Sequence, residues 1–283
     1  MNRQPENTAP DYLVIGHITR DQIGDGYQLG GTAVYSSLLA HRMGLKVALF
    51  TSCAPDLPLD SLKGIKIHNQ PGSKTTTFKN MYSSSGRTQY LLERANDLDL
   101  TRIPESWIQA NIIHLGPVAG EIQVDAGSAF PESTLAYSLQ GWLRNWDEDN
   151  LIHSSPLPDF DFQRTNQATA FLSIEDLGYQ LSLLEPIKDK FPNLVLTTGN
   201  QGAELHKDNK KQTVLPVKVQ EVDPTGAGDI FAAAFMINWV IKGMPLLQSA
   251  RLANKLAAIS VTRTGIEGLP TELEIAENYK VYK

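Results

Sequence analysis

Four consecutive apolar residues, Tyr12-Leu-Val-Ile15, run straight into Gly16. A run this short with no polar alternation suits a strand buried on both faces, and such strands belong to parallel sheets covered by other layers. The residues that follow change period. Over residues 32–43, Val34, Leu38 and Met43 make a helical stripe that Gly44 stops, and residues 46–51 read as a second strand. Strand, glycine-dense loop (Gly24, Gly26, Gly30, Gly31), helix and strand together predict the opening unit of an α/β sheet.

Apolar runs at 112–115, 134–137, 168–172 and 194–197 extend that sheet, mostly spaced for intervening helices, and two more helices are expected over 226–242 and 245–263. Between residues 72 and 91 the pattern differs. The β-formers at 75–78, 81–82 and 88–92 flank Ser83-Ser-Ser-Gly86, which predicts a polar hairpin set into the α/β alternation. No repeat, low-complexity tract or linker interrupts the chain. Residues 11–283 are therefore expected to form one domain behind a loose tail at 1–10.

Composition removes several function classes. With 25 basic against 31 acidic residues and a net charge of −6, no dedicated surface for nucleic acid or anionic membrane is expected. The single cysteine, Cys53, permits neither an intramolecular disulfide nor a cysteine-rich zinc site, and reads as a small apolar residue after a strand. The first apolar run is too short for a signal-peptide core. The longest, at 230–241, contains Asn238 and is too short to span a bilayer, so a cytoplasmic location is expected. The six histidines, His17, His114 and His153 among them, read as core or surface residues rather than ligands.

Common nucleotide signatures are missing. Gly72-Ser-Lys-Thr75 lacks the Gly-Lys pair of a P-loop, and Gly24-x-Gly26-x-x-x-Gly30 is one residue too long for a dinucleotide fingerprint. The informative segment is Asp223-Pro-Thr-Gly-Ala-Gly-Asp229, followed by Ile-Phe-Ala-Ala-Ala-Phe. Pro224 and Thr225 fit a helix entrance, which puts Gly226 and Gly228 in a first turn whose amides lack intrahelical partners. Bare amides at a helix start take an anion, aided by the helix dipole. Asp229 then stands beside that anion, where accepting the proton of a hydroxyl that attacks a phosphoryl group is a task for a carboxylate of ordinary pKa near 4. The plainer alternative is a glycine turn before a core helix, with Asp229 as a helix-start carboxylate.

Residues 223–235 resemble the C-terminal signature of the ribokinase-like carbohydrate kinases, the phosphofructokinase-B type. Other segments are similar too. Gly16-His-Ile-Thr-Arg-Asp21 resembles the family's first strand and substrate-binding Asp, and Gly30-Gly31 its diglycine at sugar and lid hinge. Leu196-Thr-Thr-Gly199 with Gly202 resembles the nucleotide-side strand and loop. Ala253-Asn254 through Gly265 resembles the helix beside the adenine.

The resemblance implies a three-layer ribokinase-like α/β fold with a mostly parallel central sheet. It also implies a small β lid, from about 18–30 and 70–94, through which a homodimer can form. The implied chemistry is ATP-dependent phosphorylation, with magnesium, of a small sugar, polyol or nucleoside. Asp229 would be the base and the amides of Gly226, Ala227 and Gly228 the anion hole. Asp21, Gly30, Gly31 and Tyr35 would face the acceptor, and Thr198, Gly199, Gly202, Thr225 and Asn254 the nucleotide. No protein-held metal site is expected.

Two departures from the family pattern bear on specificity. Tyr35 stands where the family has a substrate-binding Asn, which predicts a preference for a cyclic polyol or a nucleoside over ribose and fructose. Ser173-Ile-Glu-Asp176 replaces an Asn-x-x-Glu element linked to magnesium and phosphate, leaving Glu175 or Asp176 as the acidic member. Two alternatives stay open: a nucleoside kinase of the same fold, and a catalytically idle regulator that binds nucleotide. Arg87 and Arg94 read as solvated charges, and Gln140-Gly-Trp-Leu-Arg144 as packing.

Overall fold

A computed structural model describes residues 9–83, 86–160 and 168–280. Most of the expected tail (1–8), the Ser84-Ser85 turn and the side chain of Arg87 lie outside the described residues. The chain opens with β1 (Tyr12–Ile15), β2 (Thr19–Ile23), β3 (Gly26–Gly30) and α1 (Thr32–Arg42). Next come β4 (Val47–Thr51), β5 (Lys66–Asn69), β6 (Thr76–Ser83), β7 (Gly86–Glu93), β8 (Ile112–Leu115) and β9 (Thr134–Ser138). The middle holds β10 (Arg144–Trp146), β11 (Ile152–Ser154), β12 (Thr169–Ser173), α2 (Leu184–Lys188) and β13 (Asn193–Thr197). Then follow β14 (Ala203–Lys207), β15 (Lys210–Val214), α3 (Ala227–Met236), α4 (Leu246–Ser260) and α5 (Glu272–Lys280).

Nine strands make one sheet in the order β15-β14-β13-β12-β9-β8-β1-β4-β5. From β13 to β5 the pairs are parallel, and β14 and β15 extend the sheet as an antiparallel edge. The period of two along β1 divides the core. Tyr12 and Val14 face a layer built from α1, α3 and α4, while Leu13 and Ile15 face the opposite side. In α3, Ile230 to Met236 are buried without a break, because the helix lies between the sheet and its neighbours α1 and α4. The small side chains of Ala232, Ala233 and Ala234 keep those helices close.

The opposite layer departs from the expected helices. Between β8 and β9 the chain makes only a 3-10 turn (Ala126–Ala129). Between β9 and β12 it makes a 3-10 turn (Leu139–Leu143) and the β10–β11 hairpin. Among the described residues of these connections, an α-helix, the five-residue α2, occurs only between β12 and β13. Gly116-Pro117, Gly120, Pro131 and Gly141 punctuate these segments and deny them a continuous helical run. Their apolar residues (Ile122, Phe130, Trp142) still cover the sheet.

A second sheet, ordered β3-β2-β6-β7, stands off the main one. Its strand β2 pairs in parallel with β6, so residues 19–30 and 76–93 form one unit although α1, β4 and β5 separate them in sequence. Its root is a buried polar cluster. Glu121, 1% exposed, accepts the amides of His17 (2.9 Å), Val118 (3.0 Å) and Ala119 (2.8 Å). The His17 ring joins Thr76 Oγ1 (2.7 Å) and the Asn96 carbonyl (2.9 Å), and Thr76 Oγ1 also accepts the Ala95 amide. A carbonyl can only accept, so Nε2 carries the proton toward Asn96 and Nδ1 accepts from Thr76. Arg94 closes the cluster by donating to the Ala119 carbonyl (2.8 Å) and pairing with Asp97, so it is committed to structure rather than left to solvent.

His114 is a core residue. It bridges Tyr12 (2.8 Å) and Ser138 (2.8 Å), and full burial pushes its imidazole down to about 3. Cys53 is buried as well, and burial lifts its thiol to about 11, so it stays protonated. Among the described residues no helix is long and apolar enough to cross a membrane.

Candidate active site

The carboxyl ends of the parallel strands meet the start of α3. Asp223 prepares that start: its Oδ1 accepts the Thr225 amide (3.0 Å) and its Oδ2 the Gly265 amide (2.9 Å). One side chain thereby ties the loop before α3 to the turn after α4. Gly226 follows with φ +78°, and a β-carbon there would overlap the Tyr35 ring, so conformation and space both require glycine. In the first turn of α3 the Ala227 amide donates to the Pro224 carbonyl (3.2 Å), the Gly228 and Asp229 amides follow it, and a β-carbon at Gly228 would meet only open space. First-turn amides of a helix are groups of the kind that anions bind.

Asp229 sits at the edge of that turn. Its Oδ1 accepts a 2.6 Å hydrogen bond from Thr32 Oγ1, the first residue of α1. Thr32 is placed by Gly31, whose φ of +85° turns the chain from β3 into the helix. Ser36, one turn on, donates to the Asp229 carbonyl (3.2 Å), which locks the two helix starts together.

The Asp229 carboxyl is lifted from its ordinary 3.8 to about 6. Burial is the main cause, the Thr32 hydrogen bond opposes it, Asp176 and Asp21 raise it further, and Arg144 lowers it. The ordinary value expected from sequence therefore does not hold. A base that titrates near 6 is ionised at neutral pH yet takes a proton more readily than a free aspartate.

The remaining expected residues fall into three places. Asp21, on β2 and 6% exposed, pairs with Gln28 of β3 and turns its carboxylate to Gly30, where a β-carbon would crowd it. Thr198, Gly199 and Gly202 form the turn between β13 and β14, closed by Thr198 Oγ1 to the Gly202 carbonyl (3.0 Å). Asn254, on α4, donates to the Leu215 carbonyl (2.9 Å) and fixes the extended segment that leads to Asp223. Tyr35 does not follow its expectation. It is 1% exposed, and its ring packs beneath Gly226 instead of facing the cleft, because α1 turns that position toward α3.

Thr32 and Arg144 were not assigned a site role from sequence, and Asp176 was one of two candidates. Thr32 meets Asp229 across 197 positions. Asp176, rather than the exposed Glu175, is the acidic residue turned inward. It accepts Ser173 N and Oγ (both 2.8 Å) and Gln140 Nε2 (3.1 Å). Arg144 enters from β10. The one available signal was the pair Gln140 and Arg144 around a buried Trp142.

Among the described residues, no group of three or more His, Cys, Asp or Glu side chains is arranged to hold a metal ion. The donor set therefore does not form a metal cage. A magnesium ion would arrive on phosphate oxygens with its own waters, as this ion commonly does.

The pfkB family of carbohydrate kinases matches residues 146–272, a stretch that includes the whole Asp223–Asp229 loop and α3. A cytidine kinase of Thermococcus kodakarensis is 26% identical over 86% of this chain and 92% of its own. Two solved structures share the fold. A pyrophosphate-dependent kinase in the ribokinase family aligns with a TM-score of 0.75 at 16% identity, over 94% of this chain and 99% of that one. Ribokinase of Arabidopsis thaliana, complexed with ribose and ATP, aligns with a TM-score of 0.70 at 18% identity, over 96% and 99%. The chain is thus similar to the pfkB family of carbohydrate kinases over residues 146–272, and the relatives and solved structures it resembles are named as kinases.

Proposed function

We propose that the protein transfers the γ-phosphoryl group of ATP to a hydroxyl of a small ring-bearing acceptor, a nucleoside ahead of a plain sugar. The carrying observation is Asp229, a raised carboxyl held by Thr32 at the mouth of the amide cradle of α3. The start of α3 around Gly226, Ala227 and Gly228 receives the phosphate, with the Gly228 amide as a donor, and the acceptor lies between it and Asp21, Gly30 and Gly31. Attack by the acceptor oxygen on phosphorus forms one P–O bond as the bond to the leaving phosphate breaks. With Oδ1 taken by Thr32, Asp229 Oδ2 receives the proton. An alcohol is far too weak an acid to be ionised in advance, so the proton moves as the new bond forms. Magnesium, bound to the phosphates, would supply charge neutralisation.

Two observations refine donor and acceptor. Leu215, Val217, Val219 and Val222 expose apolar surface along the segment anchored by Asn254. Such a surface suits a nucleotide base, flanked by the Thr198–Gly202 turn, and offers nothing to pyrophosphate. The long match to a cytidine kinase supports a nucleoside acceptor. The β2–β3–β6–β7 sheet would act as a lid over a cytoplasmic reaction, and its exposed Tyr27, Met81 and Leu92, on one face by register, offer a surface to a second copy. Rates with cytidine, adenosine, myo-inositol, ribose and fructose, each with ATP and with pyrophosphate, test the assignment. Cytidine or adenosine with ATP should react fastest. Turnover confined to pyrophosphate, or to ribose and fructose, would overturn it.

The cradle has its own test. Gly228→Val should fold normally, since nothing crowds the position, but its side chain shields the amides. Turnover should fall by about a hundredfold with weaker ATP binding by calorimetry. An unchanged rate and affinity would move the phosphate elsewhere.

A further inference from the structure

The face that the β3-β2-β6-β7 sheet turns toward the body is sorted into rows by its register. Side chains two apart on a strand share a face, so each row follows from the strand pairings. The row nearest β1 holds Gly30, Thr19 and Thr76. The next holds Gln28, Asp21, Phe78 and Leu91, of which Asp21, Phe78 and Leu91 are buried. About 7 Å farther out, two residues along each strand, come Gly26, Ile23, Asn80 and Gln89. The pairing of Gln22 with Lys79 sets Ile23 beside Asn80.

The two inner rows lead to the phosphotransfer site. Thr19 is 1% exposed, and its Oγ1 has no hydrogen-bond partner among the described residues. A β-carbon on Gly30 would lie 2.9 Å from that oxygen and 2.5 Å from Asp21 Oδ2. Two buried oxygens thus converge on space that a glycine leaves open. An unpaired buried hydroxyl is costly, and a hydroxyl of a bound sugar would satisfy it. From Gly30 the chain passes through Gly31 to Thr32, which holds Asp229.

The outer row has a different character. Ile23 is 50% exposed, and Gly26 across from it has no side chain to cover it. Farther along the row, Gln89 Nε2 donates to Asn80 Oδ1 (2.9 Å). That bond orients the Gln89 amide and uses one of its N–H groups. Its carbonyl and second N–H have no partner among the described residues. An apolar shelf next to an amide with one donor and one acceptor side by side matches a nucleobase. The flat face suits Ile23, and an adjacent donor and acceptor, as on cytosine or adenine, suit Gln89. A plain sugar that fills the inner rows has nothing to place there.

We propose that Ile23, Asn80 and Gln89 read the base of a nucleoside acceptor whose sugar occupies the two inner rows. The inference rests on the reading of the protein as a nucleoside kinase, and deepens it by assigning the residues that select the acceptor. They stand a full row beyond Asp21, so they act on binding and not on the chemical step. Truncating them should raise KM more than it lowers kcat.

The test compares cytidine and adenosine with methyl riboside, which carries the same sugar with a methyl group in place of the base. Rates with ATP, and binding by calorimetry, are measured for the native protein, Gln89→Leu, Asn80→Leu and Ile23→Ser. None of these side chains is buried, so the variants should fold. In Gln89→Leu the ratio of kcat/KM for the faster nucleoside to that for methyl riboside should fall by about tenfold or more. Asn80→Leu, which releases the Gln89 amide, and Ile23→Ser should each lower it by about threefold or more. An unchanged ratio in the three variants, with a nucleoside still a good substrate, would overturn the inference and leave the nucleoside reading standing. A native protein that neither binds nor phosphorylates cytidine or adenosine would remove that reading, and the base-reading row with it.

Discussion

Asp229→Asn should turn over at least about a hundredfold more slowly than the native protein while binding ATP nearly as well. The amide keeps the size of the side chain and can still accept from Thr32 Oγ1, so α1 and α3 should stay joined. What it lacks is an oxygen basic enough to take the acceptor proton. Stability should move the other way. The native carboxyl has a folded value near 6 against an ordinary 3.8, so the folded state holds its proton more tightly than the unfolded chain. Its contribution is therefore full below about pH 4 and is lost as pH rises toward and through about 6. Asn removes that loss, and the variant should unfold at a temperature no lower than the native protein at pH 8. Steady-state rates and thermal unfolding at pH 5 and pH 8 check both halves. A rate within a few-fold of native would show that Asp229 is only a helix-start carboxylate.

The second large effect is on the fold. Glu121→Ala should cost about 3 kcal/mol or more, read from the urea midpoint. The carboxylate is buried and satisfies the amides of His17, Val118 and Ala119 at once. Alanine would leave those donors unpaired in a place too tight for ready access by water. Glu121→Gln should cost less, because one carbonyl oxygen remains to accept. The same change reaches the site, since Val118 holds Arg144 and His17 leads into β2 with Asp21. A loss below about 1 kcal/mol in Glu121→Ala would mean that the loop repairs itself or that water enters.

How much of this was readable beforehand depended on range. In the unit from β1 to β4, β1, α1 and β4 were visible because each is encoded within its own dozen residues (an apolar run, a 3.6-residue stripe, a glycine stop), while the glycine-dense loop between β1 and α1 proved to hold β2 and β3. The start of α3 was visible for the same reason, as Pro224, two glycines and Asp229 lie within one turn. The helix expectation failed between β8 and β12 because strand spacing constrains only how far the chain must travel. Glycine and proline decide how it travels.

Tyr35 shows the limit from the other side. Its position in α1 was plain, but its direction was not, and the ring went under Gly226 rather than into the cleft. Asp176 was one of two neighbouring acids in the sequence, and only the turn made by Ser173 chose between them.

The sequence alone determined β1, β4, the β6–β7 hairpin, β8, β9, β12 and β13, the principal helices, and the glycine-rich start of α3 that carries Asp229, since each is a short-range pattern of backbone preference and period. Tertiary structure decided everything that required two distant segments to meet. It brought Thr32 to Asp229, placed Asp21, Asp176 and Arg144 around it, and seated Glu121 beneath the second sheet. Burial and charge at one point in space set the behaviour of that carboxyl. Those depend on which segments the sheet order brings together, a property that no local stretch of sequence contains.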